Sequence, residues 1–483
     1  MTEVSSPAPH MLDKGGRSIV ALMTALLVAI FAFQLNASML SPALATMTHE
    51  LKTTDTQIAL TQTVFFTAAA LFSLFLPRLA DLVGRKKVLT GILVSTILGC
   101  VISAIAPNVT VLMIGRILQG ASGPVVPMCL IMLRVRVSEE KRYAKLMAIL
   151  TSVNGGIAGM DALAGGWLAG NFGFRSVFWT MAVIGVIAVL LVIFQTEESH
   201  AQDTTKMDWV GVVTLGIAFL AAYLAINEIG KLAGANLTLV AVLVVLAIVF
   251  FVIFWNVEGK NSAPLVSTKY MSQRRTWGLL SCTLLTMTGV FAIMNGVVPQ
   301  LAQDAKSGAA MSASVVSFAT LTPYAIIGFV FGPVAGMLAA KFGYRLVLRA
   351  GILVSVLGVV FGMYVSEMPS VWGLVVLSLW LGISYAGVAN IMLNGLGIVL
   401  SPKDNPGYLP GMNAGAFNLG AGLSFAILYA VMTNFAQNAG ATTGYVASMI
   451  AGIVLLALAF ACSFLIPKPE DCERDDLPSS LEA

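Results

Sequence analysis

"PRLADLVGRKKVL" at residues 77–89 returns in degenerate form as "GMLAAKFGYRLVL" at residues 336–348. Leu79, Ala80, Gly84, Val88 and Leu89 recur as Leu338, Ala339, Gly343, Val347 and Leu348, all at a single offset of 259 residues. Each copy follows one long apolar run and precedes another, so the chain reads as two related halves. Transmembrane bundles repeated about an axis along the membrane normal are the signature of a rocking transporter, with its substrate site between the halves near the midplane.

Composition sets the solvent. Of 483 residues 58% are hydrophobic and only 10% charged, against roughly 25% charged in a soluble protein. Apolar runs of about 20 residues recur along the whole chain, and only helices can span lipid in such runs, because each satisfies its own backbone hydrogen bonds. A soluble enzyme with one anchor is excluded. The expected fold is all-α and integral to the membrane, with fourteen spans: a six-helix bundle at 18–195, an inserted helix pair at 209–256, a second six-helix bundle at 276–467 and an acidic tail at 468–483.

Basic residues give the orientation. With the N-terminus in the cytoplasm, the outer connections hold only Lys52, Arg175, Lys231 and Lys306, and Arg116 lies within a span. All the rest of the 27 Lys and Arg then fall inside, which places both termini in the cytoplasm. The net charge of +4 is a topology signal and gives no reason to invoke nucleic acid. Four of the five cysteines, Cys100, Cys129, Cys282 and Cys462, sit in apolar spans as small hydrophobes, and His10, His49 and His200 form no metal-spaced cluster. No Gly-rich phosphate loop ending in Gly-Lys-Ser/Thr is present, so ATP-driven transport has no support and no cofactor is expected.

One residue resists this picture. Asp161 stands in "GGIAGMDALAGGWLAG" (155–170), an apolar, glycine-rich run with no basic neighbour in sequence. At 1.5 Å per residue, Arg116 lies roughly 10 Å below the outer face and Asp161 roughly 15 Å below it. A lone charge at that depth costs a few kcal/mol, and pairing relieves much of it. Asp161 is therefore expected to pair with Arg116, with Asn36 nearby, while Gly155, Gly159 and Gly166 admit a neighbouring backbone. The pair either carries the proton, with Arg116 holding Asp161 ionised until the two separate, or ties helices together. Further candidates for the path are Gln34, Gln119, Asn295, and Tyr385 with Asn390 and Asn394, which share one helix face at i, i+4.

The motifs resemble those of the major facilitator superfamily, and specifically its fourteen-span drug:proton antiporters, over the whole chain. "LADLVGRKK" matches the loop motif between spans two and three, with Pro77 where the family has Gly; "RILQGASG" (116–123) matches Arg-x-x-Gln-Gly-x-x-Gly of span four; "MDWVGVVTLGIAFL" (207–220) resembles the opening of the extra helix pair. The resemblance implies a monomeric, multi-pass protein of a bacterial inner (plasma) membrane, exchanging protons for drug-like or toxic organic compounds by alternating access. It also implies that Asp81, with Gly84 and Arg85, gates: the acid would bind Arg85 and the N-terminus of a helix of the other half near 405–411. The second copy has Ala340 at that position, so such a latch is one-sided. Two signature positions depart from the family: span one reads "LNAS" (35–38) instead of Leu-Asp-x-Thr, and Asp161-Ala162 stands where span five has Gly-Pro. The alternatives are a proton symporter of an organic anion or other metabolite, with Arg116 as a carboxylate anchor, and a membrane sensor that moves nothing.

Overall fold

The computed structural model describes residues 18–469 apart from 138, 200–206, 230–233, 262, 263, 265, 267 and 403–407, and apart from the side chains at 140, 141, 144, 145, 148, 151–159 and 227. Nearly all of the described residues are helical. The long helices are α1 (Ile19–Glu50), α2 (Asp55–Val83), α3 (Arg85–Ala104), α4 (Val109–Arg136), α5 (Glu140–Phe172), α6 (Phe174–Gln195), α7 (Trp209–Ile229), α8 (Leu237–Lys260), α9 (Arg274–Gln303), α10 (Ala313–Phe342), α11 (Tyr344–Glu367), α12 (Val371–Val399), α13 (Tyr408–Ala439) and α14 (Ala441–Cys462). Thirteen of them are long and apolar enough to cross a membrane; α5, 33 residues long, lies between the fourth and fifth of these. The expected tail at 468–483 falls almost wholly outside the described residues.

Several helices are broken along their length. Pro42 lies in a 3₁₀ turn, Ser41–Ala43, from which α1 resumes as Leu44–Glu50. Turns of wider π geometry interrupt α9 at Ile293–Val297 and α12 at Gly382–Ala389. Such bulges inside α-helices are frequent at functional sites. α4 is broken between Gly120 and Val125, and α10 at Thr320.

Helices α1–α6 pack into one bundle and α9–α14 into a second. Two seams join them, α2 against α13 and α5 against α10. The repeat exchanges the seams, since it relates α2 to α10. The inserted pair α7–α8 packs chiefly on itself, and α7 touches α2 and α13.

The face carrying Arg85, Lys86 and Lys87 is called here the basic face, and the other the opposite face. At the opposite face the bundles are hydrogen-bonded: Gln300 Nε2 donates to Asp55 Oδ2 at 2.5 Å, Thr56 Oγ1 to Thr433 Oγ1 at 2.7 Å, Gln303 Nε2 to the Pro42 carbonyl at 3.2 Å and Ser317 Oγ to the Ala162 carbonyl at 2.8 Å. Glycines measure how the α2–α13 seam changes with depth. A Cβ on Gly422 would stand 3.1 Å from the Thr63 carbonyl; on Gly415 its nearest neighbour is Leu74 at 3.9 Å; on Gly411 nothing lies within 4 Å. The seam is closed at the opposite face and widens toward the basic face.

Candidate functional site

Arg116 is the centre of a buried polar cluster in the first bundle. Its guanidinium has no exposed surface. Nη2 donates to Gln62 Oε1 at 2.6 Å, Nη1 to Gln119 Oε1 at 2.5 Å, and both to the Asn36 carbonyl at 3.3–3.4 Å. The Phe65 ring closes one side, 4.1 Å from the guanidinium carbon. Gln119 passes the chain on by donating Nε2 to Ser103 Oγ at 3.1 Å. Neutral acceptors and an aromatic face thus hold this cation, through charge-assisted hydrogen bonds and cation–π attraction.

Asp161 does not pair with Arg116. Its Oδ2 accepts a short hydrogen bond from the Ser38 hydroxyl, which itself accepts from Gln34 Nε2 at 2.9 Å, while Oδ1 is buried without a hydrogen-bond partner among the described residues. Equal depth did not mean adjacency: Arg116 is bonded to α1 and α2, and Asp161 reaches α1 at Ser38, two residues along from the Asn36 carbonyl that Arg116 uses. Asn36 joins the Arg116 cluster through its backbone; its side chain donates to the Ala32 carbonyl at 2.7 Å and accepts from Cys100 Sγ at 3.5 Å.

The glycines near Asp161 do admit close packing. A Cβ on Gly165 would stand 2.0 Å from the Met39 carbonyl of α1, and one on Gly166 2.5 Å from the Ala313 carbonyl of α10. Gly155 and Gly159 fall outside the described side chains.

In the second bundle, Asn295 repeats Asn36 at the same 259-residue offset and behaves alike, donating to the Phe291 carbonyl four residues back at 3.0 Å. Tyr385 stacks on Tyr324 at 6.5 Å and hydrogen-bonds Met287 Sδ at 2.6 Å. Asn394 donates to the Asn390 side chain and carbonyl on an exposed stretch of α12. The structure brings neither asparagine nor Tyr385 to the Arg116 cluster.

At the basic face, Arg85 pairs with Asp81 at 2.8 Å within one turn. Residues 405–407 of the expected latch partner lie outside the described residues. Gly84 has φ +123° and lies against the Glu198 carboxylate, which accepts from the backbone N–H of Lys86 and Lys87 at 2.9 and 3.2 Å and so caps α3. Lys86 Nζ caps the end of α6 at the Ile193 and Thr196 carbonyls. Sequence reasoning missed Gln62, Phe65, Ser38 and Glu198. Gln62 and Phe65 carried a usable signal, a polar and an aromatic residue on the face of α2 that a buried arginine must meet.

A model of the Major Facilitator Superfamily matches residues 26–424. This chain belongs to that superfamily. It is similar to the uridine/deoxyuridine transporter of Lactococcus lactis subsp. cremoris, 61% identical over 461 residues, which cover 94% of this chain and 96% of the relative. Similarity to multidrug resistance protein 3 of Bacillus subtilis is far weaker, 25% over 287 residues covering 59% and 54%. A crystal structure of the nucleoside transporter NupG aligns with a TM-score of 0.59 over 91% of this chain and 99% of that one, at 14% identity, and so speaks for the fold alone. These findings do not support the drug-antiport expectation. The protein is a membrane transporter and not an enzyme, and the metabolite-carrier alternative fits its relatives better than drug efflux does.

Proposed function

We propose that this protein carries pyrimidine nucleosides, uridine and deoxyuridine, across the plasma membrane by alternating access, with the basic face in the cytoplasm. The observation that carries the reading is the 61% identity with a uridine/deoxyuridine transporter over nearly the full length of both chains. The geometry supports it. A nucleoside is neutral, and both terminal nitrogens of Arg116 are already engaged by Gln62, Gln119 and the Asn36 carbonyl, so the paired face that grips a carboxylate is taken. Asp161, buried on α5 against Ser38 of α1, is the group on which a co-transported proton would ride: a carboxyl there can change charge while its partner is a neutral hydroxyl.

The test is uptake of labelled uridine into proteoliposomes under an inward proton gradient. Saturable accumulation, competed by deoxyuridine and indifferent to lipophilic cations, is expected. Proton release driven by cationic drugs, without uridine uptake, would return the protein to drug antiport.

A further inference from the structure

Where the two bundles meet, three phenylalanines from three helices face one another. Phe66 of α2 and Phe425 of α13 lie nearly parallel, 11° apart in plane with centroids at 6.4 Å. Phe291 of α9 stands edge-on to both, at 5.2 and 6.2 Å with interplanar angles of 84° and 75°. One turn away, each ring has a polar companion on its own helix: Gln62, Asn295 and Tyr429. The helix directions put all three on the same side, because α2 runs from the opposite face inward while α9 and α13 run toward it. An apolar layer of rings is therefore overlaid, about 6 Å toward the opposite face, by a polar layer.

Tyr429 supplies an independent observation. Its side chain is 2% exposed and its hydroxyl has no hydrogen-bond partner among the described residues. A buried hydroxyl left unpaired costs about 1–3 kcal/mol, and such a group in a native structure calls for a reason. The hydroxyl lies where a side chain on Gly296 would be: a Cβ there would stand 2.7 Å from it and 2.9 Å from the edge of Phe425. The bare glycine, inside the π turn of α9, leaves the hydroxyl and ring edge uncovered by side chain.

We propose that Phe66, Phe291 and Phe425 form a slot for the planar base of a nucleoside, and that the Tyr429 hydroxyl hydrogen-bonds the polar part of the same ligand. The inference rests on the nucleoside reading and gives that reading a site. Two faces in contact with one flat ring need about 7 Å of perpendicular separation, twice a carbon–carbon contact of about 3.5 Å, so rings whose centroids are 6.4 Å apart must move apart to admit one. Stacking a base on an aromatic side chain is favourable and tolerant of base identity, because every base has a π-face. Because Phe66 belongs to one bundle and Phe425 to the other, the slot is complete only while the seam is closed at this depth. Rocking the bundles apart takes away one wall and frees the base. Polar groups on one side only would place the sugar toward the opposite face and the base toward the rings.

Uridine titration of the purified full-length protein, by calorimetry, tests this. Tyr429→Phe removes the hydroxyl alone and is expected to weaken uridine binding at least tenfold, while the unliganded unfolding temperature holds or rises. Phe425→Leu should weaken binding by at least as much, and Phe425→Trp should retain most of it. Uridine binding within twofold of the parent in Tyr429→Phe would overturn the assignment, and that variant decides if Phe425→Leu does not fold. Adenosine separates the two levels of the inference. A parent chain that ignores uridine but binds adenosine, with loss in Tyr429→Phe, keeps the slot and rejects the pyrimidine reading; binding of neither rejects both.

Discussion

Two charged side chains in the first bundle meet burial in different ways, and each makes a distinct prediction. Arg116 is held by three neutral acceptors, the Asn36 carbonyl of α1, Gln62 of α2 and Gln119 of its own α4, so replacing it orphans all of them. Arg116→Leu should cost about 1–3 kcal/mol for each acceptor left unpaired, read as a fall of several degrees in unfolding temperature, with Arg116→Lys intermediate because a point charge cannot reach all three. Asp161 has one oxygen on Ser38 and one with no hydrogen-bond partner among the described residues. Asp161→Asn is expected to abolish gradient-driven accumulation of uridine while uridine–uridine exchange continues, since exchange needs no net proton movement. Full gradient-driven accumulation in this variant would remove Asp161 from the coupling. Depth along the helices was legible at these positions from residue counting. Partners were not, because which faces of α1, α2 and α5 meet depends on how the helices rotate against one another.

At the scale of elements, the turn between α2 and α3 is built around Gly84. Its φ of +123° suits only glycine, and a Cβ would stand 2.6–2.8 Å from the Glu198 carboxylate. Gly84→Ala should therefore lower stability by about 1–3 kcal/mol of backbone strain and loosen the Glu198 cap on α3. Glu198→Ala removes the obstacle but also the cap, so the double variant should show less than the sum of the two losses; strict additivity of unfolding free energies would disprove the contact. The Gly343 repeat has φ +83° but nothing within 4 Å of a Cβ, so no acid takes the place of Glu198 there among the described residues. The repeat made the turn and its glycine readable. The capping acid, more than a hundred residues away at the end of α6, was not.

For the whole molecule, closure at the opposite face rests on backbone contact as much as on hydrogen bonds. Gly166 lets α5 lie against the Ala313 carbonyl of α10, next to the Ser317–Ala162 bond. Gly166→Val should hold the seam apart and favour the state open to that face. A cysteine placed at Thr433, which is bonded across the α2–α13 seam to Thr56, should then react faster with an impermeant maleimide in Gly166→Val than in the parent background. Equal rates in both would show that Gly166 does not govern closure. Cys100, Cys129 and Cys282 are buried and give little background.

Composition and the 259-residue repeat by themselves determined that the chain is a membrane-embedded pair of helical bundles, because lipid permits few structures and a repeat forces related halves. Resemblance to the superfamily's motifs also drew attention to Arg116, Asp81, Gly84 and Arg85. Only the tertiary structure decided that Arg116 and Asp161 keep separate company, that Tyr385 and Asn394 lie away from both, and that three phenylalanines converge at the seam. The physical reason is the same in each case. An apolar helix is hydrophobic on every side, so its sequence carries little amphipathic signal of which face meets a neighbour, and that choice is made only when such helices pack together.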